Sequence, residues 1–167
     1  MKVTFWILLF VVFYTYAGYV VLLTVVVFLK KMFRGRKNPP HIESTDLPLV
    51  CMFVAAYNER NCVEAKVANL LELDYPKDRI QFLWITDGSN DGTPELLMNY
   101  PGMEVHHQSV RRGKIHAMNR GMGFVKAPIV IFSDSNTILC QQAIRVIVKT
   151  FGDPMVGCVA GEKRTMV

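Results

Sequence analysis

No aspartate or glutamate occurs in the first 38 residues, which hold six basic side chains: Lys2, Lys30, Lys31, Arg34, Arg36 and Lys37. The rest of the chain carries thirteen Lys/Arg against fourteen Asp/Glu. The formal charge of +5 therefore belongs to the amino-terminal stretch, and the remainder is close to neutral. A nucleic-acid binder carries its positive charge on the folded domain, so the pattern argues against nucleic acid as a partner. Cysteine is scarce: Cys51, Cys62, Cys140 and Cys158 form no C-x-x-C pair and match no zinc spacing. Cys51 and Cys158 lie in apolar runs, and buried free thiols in a reducing compartment are expected. Neither a G-x-G-x-x-G fingerprint nor a Walker loop occurs, and there is no internal repeat.

What the amino-terminal stretch does have is apolar length. Residues 3–29 run for 27 positions without a formal charge. As a helix this run spans about 40 Å, against about 30 Å of hydrocarbon in a bilayer. A cleaved signal peptide has a shorter apolar region followed by small residues. Here Lys30-Lys31-Met32-Phe33-Arg34-Gly35-Arg36-Lys37 follows directly, which predicts an uncleaved transmembrane anchor. Five basic residues after the span and only Lys2 before it place the carboxyl-terminal side in the cytosol and the amino terminus outside, in a cell membrane. The Tyr14-Thr15-Tyr16-Ala17-Gly18-Tyr19 stretch reads either as a small-residue packing face or as plain span.

Residues 30–48 combine the basic flank with Pro39, Pro40 and Pro48 and read as a linker. From residue 49 to 167 one folded domain is expected. Continuous apolar runs at 49–56 (LVCMFVAA), 80–86 (IQFLWIT) and 128–133 (PIVIFS) suit strands buried on both faces. A further strand is expected at 103–107, and a last one at 156–160. Helical spacing marks 59–73, 93–100, 112–125 and 141–151. Alternating strands and helices predict an α/β fold with a mostly parallel sheet. Ligands of such sheets bind beyond the carboxyl ends of the strands. The polar groups Tyr57-Asn58-Glu59, Asp87-Gly88-Ser89 and Asp134-Ser135-Asn136 stand at three of those ends.

Each group has two readings. Asp87-Gly88-Ser89-Asn90-Asp91-Gly92-Thr93 is a turn with a helix cap from Asp91 or Thr93, or a ligand loop in which Asp87 accepts hydrogen bonds from a base or ribose. Asp134 and Asn136 close a strand as an Asx-type turn, or supply two oxygen ligands to Mg²⁺ or Mn²⁺. Arg111-Arg112-Gly113-Lys114, ahead of a helix containing Asn119, is an exposed basic turn or a phosphate site made of cations and free amides. His106 and His107 are adjacent on a strand, face opposite ways, and do not share a metal. His116 has no evident partner, and Glu162, Lys163 and Arg164 have the reach to enter the crevice.

The order of these signals is itself informative. Ala55-Ala56-Tyr57-Asn58-Glu59, Leu73-Asp74-Tyr75-Pro76, the Asp87–Thr93 loop, Arg112-Gly113-Lys114-Ile115-His116-Ala117-Met118-Asn119, Phe132-Ser133-Asp134-Ser135-Asn136-Thr137 and Val156-Gly157-Cys158-Val159-Ala160-Gly161 occur in register. Together, over residues 49–161, they resemble the family 2 inverting glycosyltransferases, in the membrane-bound branch that includes cellulose-, chitin- and hyaluronan-synthase-like enzymes. The resemblance implies the nucleotide-binding, Rossmann-like half of a GT-A fold. It implies that Ala56, Tyr57 and Glu59 cradle the base, that Asp87 contacts the nucleoside and that Lys114 lies near the sugar-nucleotide. Asp134 would open the D-x-D motif that binds Mg²⁺ or Mn²⁺ on the diphosphate. Asn136 stands at its third position and offers an amide oxygen with less charge. The implied partners are a nucleotide-sugar, expected to be a UDP-sugar, and a saccharide or lipid-linked acceptor at the cytosolic membrane face.

Members of that family continue further, through a second acidic motif whose carboxylate deprotonates the acceptor hydroxyl and a Gln-x-x-Arg-Trp motif. Neither is present: Trp6 and Trp84 are the only tryptophans, and no Asp or Glu follows Glu162. The catalytic base is therefore not assigned. The expectation is a chain truncated before that base, or one completed by a partner subunit. The alternative is a non-catalytic, membrane-tethered nucleotide-binding remnant or docking subunit. A sheet ending at 156–160 would expose an apolar edge, so residues 39–167 alone are expected to be poorly soluble or oligomeric.

Overall fold

The computed structural model describes residues 2–33 and 47–162, in two compact units divided near Asn38. Most of the expected linker, residues 34–46, lies outside the described residues. The amino-terminal unit is a single apolar helical rod: α1 (Lys2–Phe13), one widened turn (Tyr14–Gly18) and α2 (Tyr19–Phe33). Lys2–Lys30, 29 residues, is long and apolar enough to cross a membrane. Two hydroxyls within it are satisfied internally, Thr15 Oγ1 donating to the Val11 carbonyl at 2.7 Å and Thr24 Oγ1 to that of Val20 at 2.8 Å. That is what a polar group needs where no water is available. The tyrosine-rich stretch is a π-type turn, closed by Tyr19 N–H donating to the Tyr14 carbonyl. Gly18 permits it, since a Cβ there would lie 2.9 Å from Tyr14 Cδ2.

The second unit is a four-stranded parallel sheet in the order β3-β2-β1-β4. In chain order it runs β1 (Val50–Ala56), α3 (Arg60–Leu71), β2 (Ile80–Asp87), α4 (Thr93–Met98), β3 (Met103–Gln108), α5 (Lys114–Met122), β4 (Ile129–Asp134) and α6 (Ala143–Phe151). The central strands are buried on both faces, as their unbroken apolar runs require. Strand alternation splits the core in two. Val50, Met52, Val54 and Trp84 pack with Val63, Val67 and Leu70 of α3, Leu97 of α4, and Ile144 and Val148 of α6. Cys51, Phe53, Leu83 and Ile85 pack on the other face with Ala117 of α5. The chain builds outward from β1 to β3, then returns to β4 on the far side of β1. The strand order reverses there, and a crevice opens at such a switch point.

Two expectations fail. Residues 156–160 form no strand among the described residues, and Cys158 is exposed rather than buried. An apolar run becomes a strand only where a sheet edge accepts its backbone, and none pairs with this one. The edge beside β1 is β4 itself, with Phe132 half exposed. The thiols likewise divide: Cys51 is buried, and burial followed by the Glu104 charge pushes it up to about 12, whereas Cys140 and Cys158 are exposed. The third difference is a boundary. Helix α5 begins at Lys114 rather than Arg112, because Gly113 has φ +95° and the amides before the helix serve another purpose.

Candidate functional site

The register that pairs Ala56 with Thr86 and Ala55 with Asp134 brings the ends of β1, β2 and β4 level. The loop after β1 is locked to the loop after β2. Asn58, at φ +52°, donates through Nδ2 to Asn90 Oδ1 at 3.1 Å, and its Oδ1 accepts from Asn90 N–H at 3.0 Å. Ser89 Oγ accepts from Asn58 N–H, Thr93 Oγ1 from Glu59 N–H and Asp91 Oδ2 from Arg60 N–H, each at 3.1 Å. The two amides leading into α3 and its first, that of Arg60, are thus held by side chains of the Ser89–Thr93 segment. Burial alone would raise the Asp91 carboxyl, but the hydrogen bonds from Thr93 and Arg60 hold it below the usual carboxylate range. The turn-and-cap reading of the Asp87–Thr93 loop holds for most of its residues. Ser89, Asn90, Asp91 and Thr93 build the frame, and Asp87 faces the cleft.

Asp87 is 4% exposed. Its Oδ2 accepts from the backbone amides of Arg112 at 2.8 Å and Gly113 at 2.6 Å. These are the amides that the sequence left open to phosphate, and a carboxylate of the protein takes them instead. The other oxygen, Oδ1, is buried and has no hydrogen-bond partner. Buried acceptors are rarely left unsatisfied, because desolvation goes uncompensated. Asp87 lines a cleft of about 330 Å³.

All seven candidate site residues line that cleft: Ala56, Tyr57, Glu59, Asp87, Lys114, Asp134 and Asn136. Arg111 joins them, with its guanidinium carbon 3.9 Å from the centre of the Tyr57 ring. Lys114 Nζ donates to Asp134 Oδ1 at 2.6 Å. Both side chains are at least half exposed, so the pair adds little to stability and yields readily to a ligand. No group of three or more His, Cys, Asp or Glu suited to a metal exists among the described residues. A carboxylate and an amide oxygen at one cleft wall still fit Mg²⁺ or Mn²⁺, hard ions that take few protein ligands and complete their shell with phosphate oxygens and water.

The remaining candidates fall elsewhere. His107 Nδ1 pairs with Thr86 Oγ1 at 2.8 Å, and His106 stacks on Phe124 with ring centroids 3.6 Å apart. They face opposite ways. His116 has a partner after all, Arg112 Nη1 at 3.4 Å from its Nε2. Neither Asn119 nor Glu162 lines the cleft, and Lys163 and Arg164 lie outside the described residues. One buried side chain went unread in the sequence. Lys66 of α3 is fully buried and donates to Ser133 Oγ at 2.7 Å and to the Thr137 carbonyl. Burial pushes its amine down to about 8, against an upward pull from the Asp134 carboxylate. The signal was its place between Val63 and Val67 on the buried side of the helix.

The switch-point cleft, the buried Asp87 that lines it and the acidic turn on its wall define the nucleotide-binding half of a GT-A-type fold. Comparisons with known proteins agree. Residues 51–165 match the model described as Glycosyl transferase family 2, and the chain belongs to that family. Poly-beta-1,6-N-acetyl-D-glucosamine synthase of Staphylococcus aureus (strain MSSA476) is 34% identical over 130 residues, 75% of this chain and 31% of that protein. The chain thus spans about a third of the length of the curated relatives it matches. The mannosyltransferase PcManGT from Pyrobaculum calidifontis, solved in complex with GDP-Man and Mn²⁺, superposes with a TM-score of 0.70 at 28% identity, over 84% of this chain and 43% of that one. Staphylococcus aureus TarS 1–349 in complex with UDP-GlcNAc shares the fold, with a TM-score of 0.56 at 18% identity over 59% of this chain and 30% of that one.

Proposed function

We propose that this chain is the sugar-nucleotide-binding part of a membrane-anchored glycosyltransferase. The enzyme transfers a sugar from a nucleoside-diphosphate sugar, a UDP-sugar first of all, to a saccharide or lipid-linked acceptor at the cytosolic membrane face. The observation that carries this reading is Asp87, which lines the cleft and whose Oδ1 is buried without a hydrogen-bond partner. It accepts a hydrogen bond from the nucleoside, either a base N–H or a ribose hydroxyl. Tyr57 and Arg111 frame the base beside it. Lys114 faces the diphosphate, and Asp134 and Asn136 would hold Mg²⁺ or Mn²⁺ there. That ion, when bound, neutralises the leaving diphosphate. A carboxylate oxygen accepts equally from the imide N–H of uracil and the N1–H of guanine, whereas N3 of cytosine carries no hydrogen. UDP and GDP are therefore both tested, with CDP as the discriminating control.

Calorimetry on the full chain in detergent micelles reads this out. UDP is expected to bind, CDP to bind more weakly, and Mn²⁺ to tighten UDP by about tenfold or more. Asp134→Ala is expected to remove the Mn²⁺ increment, about 1.4 kcal/mol for each tenfold, and to leave metal-free binding in place. A folded chain that binds no nucleoside diphosphate would reverse the reading toward a non-catalytic membrane-tethered subunit. Orientation has its own test. A membrane-impermeant maleimide at pH 8 is expected to reach Cys140 and Cys158 only from the cytosolic side. Cys51, which is buried and whose thiol burial pushes up, reacts more slowly until the chain unfolds. Labelling of Cys140 in sealed cells from outside would invert the topology.

A further inference from the structure

Lys66 stands in an apolar stripe, where an ammonium group is costly unless its hydrogens are engaged. Its three hydrogens have few acceptors to choose from, and two are known: Ser133 Oγ at 2.7 Å and the Thr137 carbonyl. Those acceptors bracket Asp134-Ser135-Asn136, one before it and one after it. The turn is closed by Thr137 N–H donating to the Asp134 carbonyl at 3.2 Å. Asn69, one helical turn further along the same face of α3, repeats the arrangement. Its Nδ2 donates to the Leu139 carbonyl at 2.8 Å, and its Oδ1 accepts from Leu139 N–H at 2.9 Å. Helix α3 thus straps residues 133–139 from behind with two buried polar side chains, while Asp134 and Asn136 present to the cleft on the other side.

We propose that Lys66 is a positioning residue for the divalent-ion site: from beneath, its buried ammonium fixes the turn on which Asp134 and Asn136 converge. The proposal rests on the reading of that wall as the diphosphate and metal site. A methionine in its place fills the volume but donates nothing, so the Thr137 carbonyl loses its partner and the turn relaxes away from α3. Asp87, Tyr57 and Arg111 are held by other elements and keep their places. Lys66 therefore acts on the metal-dependent part of nucleotide binding and not on the metal-independent part.

The test compares the full wild-type chain in micelles with Lys66→Met and Ser133→Ala. UDP affinity is measured with and without Mn²⁺, and the electron paramagnetic resonance spectrum of Mn²⁺ is recorded with UDP present. Lys66→Met is expected to bind UDP without metal within about twofold of wild type and to lose about 10–100-fold in Mn²⁺ affinity, the range seen for outer-shell supports of metal ligands. Ser133→Ala, which removes one of the two anchors, is expected to show the same selective loss in smaller degree. Loss of metal-free and metal-dependent binding together in Ser133→Ala would make the strap merely structural and overturn the proposal. Retention of the Mn²⁺ increment in both variants would overturn it too. A wild-type chain that shows no Mn²⁺ increment would instead sink the metal-site reading itself, which separates the two failures.

Discussion

Asp87→Asn is expected to weaken UDP binding by about 10–100-fold, the value of a hydrogen bond to a charged acceptor, while the chain stays folded. The two oxygens of Asp87 have separate duties. Oδ2 accepts from Arg112 and Gly113, and that bond pins the segment ahead of α5. An asparagine turns its carbonyl oxygen to those two amides and so preserves the frame. Its amide nitrogen then occupies the place of Oδ1 and presents hydrogens to a cleft that had presented an acceptor. A base N–H now meets a donor instead of an acceptor. Cytosine, with an unprotonated N3, is relieved of the mismatch, so the ratio of UDP to CDP affinity falls. If Asp87 meets a ribose hydroxyl, the loss is uniform across UDP, GDP and CDP, because all three share the sugar. Calorimetry with the three nucleotides separates these outcomes, and unchanged UDP affinity in the folded variant would remove Asp87 from the nucleoside site. Asp87→Ala answers a different question, because it strands two backbone donors and confounds binding with stability.

The parts of this fold that were legible in sequence are those set by local pattern. Val50–Ala56 and Ile80–Asp87 are unbroken apolar runs because both faces of each strand are covered, and such runs end where the chain reaches the rim. The polar groups at those ends could be placed along one cleft without coordinates, since a parallel sheet puts the carboxyl ends of its strands on one side. What stayed hidden depends on tertiary partners. Which of Asp87, Ser89, Asn90, Asp91 and Thr93 binds a ligand and which binds the neighbouring loop is decided by the approach of residues 57–60. The free amides at Arg112 and Gly113 looked like a phosphate site until Asp87, far away in sequence, proved to occupy them. Lys66 was hidden by its type, because an amphipathic reading assigns a lysine to solvent. Residues 156–160 failed in the opposite sense: their composition was right for a strand, but a strand is a property of a pair.

Gly88→Ala is expected to cost roughly 2–5 kcal/mol of stability, from left-handed backbone strain together with overpacking, and to abolish UDP binding at concentrations that saturate wild type. Gly88 has φ +73°, and an added Cβ would lie 2.6 Å from Arg111 Cβ and 2.8 Å from both Arg111 Cα and N. Two of these are backbone atoms and the third is the Cβ that the backbone fixes, not the tip of a flexible side chain. Gly88 N–H is already committed to the Gln108 carbonyl at 2.7 Å, and the next two amides after Arg111 are committed to Asp87. A methyl group that pushes Arg111 away must therefore break the Asp87 anchor, tilt the start of α5 and move Lys114 from Asp134. Gly102→Ala supplies the control. Gly102 has φ +87° but nothing within 4 Å of its Cβ position, so alanine there carries the strain without the collision. It is expected to cost about 1–2 kcal/mol, the strain alone, and to leave UDP affinity unchanged. Chemical denaturation of both variants, followed by nucleotide binding, isolates the collision as their difference. Equal losses in the two would show that the crossing of Gly88 over Arg111 is loose, and that the Asp87 anchor does not depend on a glycine there.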